Sequence, residues 1–135
     1  MTSFEILMMI GLLAVLAALT HILVRRPTTG SSWLAAGLSI AFAIYTALTL
    51  DRDGLAAFWT NHTSNLTGVQ VWWDLLIATL LAFFFVAPRA RAVGMRVGLW
   101  GIAVAATASI ALLAMAARLF WLERAAERVG RSTTV

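Results

Sequence analysis

The chain has no cysteine, no lysine, two prolines and one tyrosine, and charged residues fill only 12% of its 135 positions. The missing cysteines exclude a disulfide framework, a thiolate nucleophile and any Cys-based zinc site, and leave the redox compartment open. No Ser-His-Asp set, phosphate loop, dinucleotide fingerprint or pair of histidines at ligand spacing occurs, so no catalytic residue, metal site or cofactor is expected. A site assembled from scattered residues keeps catalysis as the outside reading. So little charge also excludes a soluble globule, because the polar side chains are too few to cover one.

What is present is hydrocarbon. Hydrophobic residues make up 61% of the chain and the mean hydropathy is +0.89, which points to a bilayer as the solvent. Crossing it takes about 20 apolar residues per helix. Four runs meet or approach that length, near residues 4–24, 32–50, 71–87 and 97–121, followed by a tail over 122–135. They predict an all-α polytopic membrane protein, a four-transmembrane-helix bundle in a single domain over residues 1–135. The first run has no basic start and is followed by Arg25 and Arg26, so it reads as a retained helix and not as a cleaved leader.

Polar breaks carrying arginine, proline and glycine at 25–32 and 88–96 predict tight connections. Residues 51–68 predict a longer loop in which Leu55 to Trp59 form an amphipathic turn. Trp33, Trp72, Trp73, Trp100 and Trp121 fall near predicted helix ends, where an indole anchors at the interface. The two short connections hold Arg25, Arg26, Arg89, Arg91 and Arg96 without an acid, which favours them inside and both termini outside. Arg124, Arg128 and Arg131 oppose that orientation. In the tail, Glu123 and Glu127 are spaced for pairing with Arg124, Arg128 or Arg131. The flanking arginines suit topology and phospholipid headgroups and argue against nucleic acid. The composition, rich in Ala and Arg and free of lysine, suits a bacterial inner membrane and discounts the sequons at Asn61 and Asn65.

In lipid, small residues and a few polar contacts hold helices together. Ala35, Ser39, Ala43 and Ala47 form one ladder, and Gly94-x-x-x-Gly98 with Gly101, Ala105 and Ser109 forms another. Both serve packing within the chain or with a second copy. A straight fourth helix brings Arg118 to the depth of Asp74, and the two are expected to pair. Three roles compete for Asp74: a stabiliser in the first helical turn, a proton or ion relay, and ligand recognition with Tyr45 and Glu5. Arg118 has the alternative of reaching to headgroups on its own. His21, aligned with Gly11, Ala14 and Ala18, is expected to face another helix or its headgroup edge, and Thr107 and Ser109 to bond to carbonyls one turn back.

The segment W-W-D-L-L-I-A-T-L-L-A-F-F-F-V, followed by R-A-R-A-V-G-M-R-V-G-L-W and closed by L-F-W-L-E-R-A, resembles a family of small bacterial membrane proteins called domain of unknown function 2834. The resemblance covers about residues 40–125. It rests on Asp74-Leu75 opening a span, Gly94-Met95-Arg96 in a basic turn, and Leu122-Glu123-Arg124 at the close. The first helix is additional to the three spans usual in that family. The resemblance implies a bacterial cell membrane and carries no activity with it.

The expected role is therefore that of a structural or accessory membrane component, non-enzymatic and without a cofactor. It would act through helix contacts with lipid, with itself as a homo-oligomer, or with a larger membrane complex. The competing expectation is a small ion- or proton-coupled transporter using Asp74 and Arg118.

Overall fold

A computed structural model describes residues 2–25 and 30–132, and their secondary structure is entirely helical. Five helices follow in order: α1 (Ser3–Arg25), α2 (Ser32–Thr63), α3 (Leu66–Ala92), α4 (Val97–Thr107) and α5 (Ser109–Ser132). Three of them, α1, α2 and α3, are long and apolar enough to cross a membrane. In place of a fourth long helix stand α4 and α5, separated at Ala108.

Helix α1 starts at a reciprocal cap. The Glu5 backbone N–H donates to Thr2 Oγ1 at 3.3 Å, and the Thr2 N–H donates to Glu5 Oε2 at 2.8 Å. Two amides that lack an intrahelical acceptor are satisfied in this way. Among the described residues α1 packs against no other helix, and residues 5–24 are exposed throughout.

Helix α2 starts at Ser31, whose Oγ accepts from the Leu34 N–H at 3.3 Å. It runs well past the expected end near residue 50. Asp51 and Arg52 stay helical, and only Gly54 leaves helical geometry, at φ 77° and ψ 164°. That conformation favours glycine, and beyond it Leu55 to Thr63 return to helix as a bent continuation of α2. The expected loop over 51–68 therefore shrinks to Ser64 and Asn65. Asn65 caps α3 by accepting from the Gly68 N–H at 2.8 Å. Gly68 lies so close to α2 that an added Cβ would come within 2.6 Å of the Asn61 carbonyl oxygen. The hairpin is packed by Trp72, which meets Phe58 and His62 edge-on at 5.6 and 5.2 Å.

Helix α3 ends in a Schellman turn. The Gly94 N–H bonds to the Arg91 carbonyl and the Met95 N–H to the Ala90 carbonyl, with Gly94 at φ 76°. This bond pattern satisfies carbonyls that the last helical turn leaves open, and it requires a left-handed residue at the glycine position. Arg89 and Arg91 lie in the last turn, where the helix dipole favours cations.

The largest departure from the expected bundle follows. The core gathers Ala87, Ala90, Met95, Val97, Met115 and Leu119. As one straight helix, residues 97 and 119 would stand about 33 Å apart at 1.5 Å per residue. Their presence in one cluster means that the chain doubles back, and Ala108, at φ 45° and ψ −113°, is where it turns. Helix α5 then runs antiparallel to α2. Ser39 Oγ donates to the Ile110 carbonyl at 2.9 Å, and Arg124 Nη2 donates to the Gly30 carbonyl at 3.0 Å. Two corrections result. The run at 97–121 is a helical hairpin, and the tail after residue 121 shares the end of the α3–α4 turn instead of that of the α2–α3 connection.

Candidate functional site

The expected cluster of Asp74, Arg118, Tyr45 and Glu5 does not assemble. Arg118 precedes Leu119, which packs with Ala87 and Ala90 near the C-terminal end of α3. Asp74 lies thirteen residues before Ala87 on α3, about 20 Å along the helix axis. Both side chains are exposed, and neither has a hydrogen-bond or ion-pair partner among the described residues. The cause is the turn at Ala108, which returns α5 to the end from which α4 started. The first-turn role for Asp74 also falls, because α3 begins at Leu66 and its free amides lie two turns earlier. Glu5 serves the α1 cap, and Tyr45 is a half-exposed residue of α2 whose ring stacks near Phe42 at 6.3 Å.

The expected packing ladder is redistributed in the same way. Gly94 terminates α3 and has open space where a Cβ would stand, and Gly98 also meets nothing within 4 Å. Among the described residues the Gly94-x-x-x-Gly98 pair therefore makes no helix contact. Gly101 does take one, since a Cβ added there would stand 3.4 Å from the Phe83 ring, whereas Ala105 is exposed. In the α2 ladder, Ala35 and Ser39 are buried. Thr107 Oγ1 donates to the Ala103 carbonyl at 2.9 Å. His21 is exposed on α1 and faces no other helix among the described residues.

The structure builds its polar contacts at the opposite end from Asp74. Arg89 grips Glu123 through two bonds, Nε to Oε1 at 3.0 Å and Nη2 to Oε2 at 2.7 Å. Its guanidinium carbon lies 5.7 Å from the centre of the Phe120 ring. A methyl group at Gly30 would overlap that same ring, so the glycine lets the chain before α2 settle on α5. There Arg124 holds the Gly30 carbonyl. These residues join α3, α5 and the start of α2 at one end of the molecule.

The sequence signal for this arrangement lies in the tail, where the spacing of Glu123 suggests an arginine of its own helix as partner. Glu123 instead reaches across to α3. Charges divide accordingly: Arg89, Arg91, Arg96, Arg118, Arg124 and Arg128 lie toward the α3–α4 turn with Glu123 and Glu127, and Asp51, Arg52, Asp53 and Asp74 lie toward the α2–α3 connection.

The Arg89–Glu123 pair is open to water on its arginine side, where Arg89 is 45% exposed against 18% for Glu123. A double-mutant cycle with Arg89→Gln and Glu123→Gln is expected to give a coupling of about 0.5–1 kcal/mol in unfolding measurements, the upper range for exposed pairs. The same cycle with Asp74→Asn and Arg118→Gln is expected to be additive to within about 0.5 kcal/mol. A larger coupling in the second cycle than in the first would reinstate the pairing that the fold separates.

A shallow groove of about 240 Å³ runs along α2 at the Gly54 bend, lined by Tyr45, Thr49, Asp53, Phe58 and His62 among others. The His62 imidazole Nδ1 lies 2.7 Å from the Phe58 carbonyl oxygen. Among the described residues no three His, Cys, Asp or Glu side chains converge as a metal site would require. The chain matches no family model, no curated protein and no solved structure.

Proposed function

We propose that the chain is a small integral membrane protein that crosses the bilayer with α1, α2 and α3 and serves as a non-enzymatic accessory component through helix contacts. The observation that carries this reading is α1, an apolar helix of 23 residues that no other helix covers among the described residues. Helices α2 to α5 pack on one another, and among the described residues α1 takes no part in that packing. It is free to lie against a second copy or a helix of a larger complex. In lipid, such association rests on close approach, and the line of Gly11, Ala14 and Ala18 permits it.

Three crossings with a hairpin that enters and returns put the chain ends on opposite sides. The arginines around the α3–α4 turn and α5 favour that end inside, with the N-terminus and the α2–α3 connection outside. A bacterial inner membrane and kinship with domain of unknown function 2834 remain part of this proposal, carried by the sequence. The transporter reading loses the Asp74 and Arg118 cavity on which it was built.

The test uses photo-crosslinking residues placed singly at Gly11, Ala14 and Ala18 in native membranes, with Leu80 on α3 as the comparison site. Discrete protein adducts from α1 and none from Leu80 are expected. Adducts to lipid alone from all α1 sites would overturn the reading. So would a proton or solute flux in reconstituted vesicles that Asp74→Asn abolishes.

A further inference from the structure

The turn at Ala108 divides the arginines of one end into two kinds. Arg89 and Arg124 are engaged by the fold, one with Glu123 and the other with the Gly30 carbonyl. Arg91, Arg96, Arg118 and Arg128 are exposed and have no hydrogen-bond or ion-pair partner among the described residues. Only Glu123 and Glu127 oppose them there, and Glu123 is already held by Arg89. Four guanidinium groups are thus left facing outward from the α3–α4 turn and α5.

Large apolar side chains on α4 and α5, the helices that follow this turn, are exposed too. Leu99 and Ile102 on α4 are 60% and 70% exposed, and Trp121 on α5 is 61% exposed. A ligand matching this surface carries negative charge joined to hydrocarbon. Guanidinium groups bind phosphate oxygens through paired, directed hydrogen bonds. Basic residues beside a membrane-embedded segment are drawn to anionic headgroups within about a Debye length. A phospholipid supplies both parts, whereas nucleic acid or free phosphate supplies only the charge.

We propose that Arg91, Arg96 and Arg118 hold the headgroups of anionic phospholipids against the α3–α4 turn, with Arg128 extending the basic surface along α5. The inference rests on the membrane placement proposed above, and it assigns to that surface a lipid class.

The test measures binding of phosphatidylglycerol and phosphatidylcholine to the full chain in detergent, by native mass spectrometry. Phosphatidylglycerol is expected to bind at least about tenfold more tightly, with the preference eroded by salt. The triple variant Arg91→Gln, Arg96→Gln and Arg118→Gln is expected to lose the preference while keeping its helical circular dichroism. Arg52→Gln, at the other end, is expected to retain it.

Equal binding of the two lipids by the unaltered protein would overturn the inference, as would a preference that survives in the folded triple variant. Competition by inorganic phosphate at the same concentration as phosphatidylglycerol would also overturn it, by assigning the surface to free anions. Reconstitution separates the two levels of failure. Protein that floats with phosphatidylcholine vesicles but shows no lipid preference overturns only the headgroup assignment, and protein that associates with no vesicle overturns the membrane placement as well.

Discussion

Leu119→Ala is expected to destabilise the packed end of the protein by about 2–5 kcal/mol, the range for a buried leucine cut back to alanine. Leu119 has no exposed surface, and neither does Met115 one turn before it. Both insert between α3 and the start of α4, against Ala87, Ala90, Met95 and Val97. The small alanines let the backbones approach, but their short side chains cannot move to fill the space that the leucine leaves. Most of the cavity therefore persists, and the lost contacts add to the lost transfer energy. Leu80, 70% exposed on α3, is the control, and Leu80→Ala is expected to change stability by less than about 0.5 kcal/mol. Chemical unfolding in detergent, followed by tryptophan fluorescence, reads both. Similar small losses at the two positions would mean that α5 does not return to α3.

The second large effect is all-or-none and concerns sidedness. Because the chain contains no cysteine, single cysteines can be introduced without background. Ser64→Cys marks the α2–α3 connection, Ala92→Cys the end of α3, and Ala126→Cys the outer part of α5, all at exposed positions. With a membrane-impermeant thiol reagent, Ala92→Cys and Ala126→Cys are expected to react from one side of sealed vesicles and Ser64→Cys from the other. A straight fourth span would instead place Ala126→Cys with Ser64→Cys. The measurement thus decides between the turn at Ala108 and an unbroken helix. The arginines predict that the shared side is the inner one.

The first three helices are legible in the sequence because long apolar runs bounded by arginine, proline and glycine leave few alternatives. The extension of α2 is harder to read. D-R-D-G-L looks like a loop by charge and by its glycine, and Gly54 does interrupt the helix. Leu55, Ala56 and Ala57 resume it because they favour helix and because Phe58 and His62 find Trp72. Asn65 and Gly68 carry a visible capping signal, as do Thr2 and Glu5, but placing Glu5 in a distant cluster overlooks its local use.

The turn at Ala108 leaves almost no trace. Alanine is the strongest helix former, and a positive φ on it is uncommon. Neither proline nor glycine marks the place. What stabilises the turn lies elsewhere in the chain, in the Ser39 bond to Ile110 and in the core around Leu119. Periodicity within a single run cannot report contacts of that kind. The candidate site fails for the same reason, since Asp74 and Arg118 share a depth only if α4 and α5 are one straight rod. The Arg89–Glu123 pair escapes the sequence because partners 34 residues apart become neighbours only after the chain reverses.

That reversal also gives the bundle of α2 to α5 a taper. Of these four helices, a plane cut near the α3–α4 turn meets all of α2, α3, α4 and α5, whereas one beyond Ala108 meets α2 and α3 alone. In a bilayer, acyl chains must fill in one leaflet the width that protein occupies in the other.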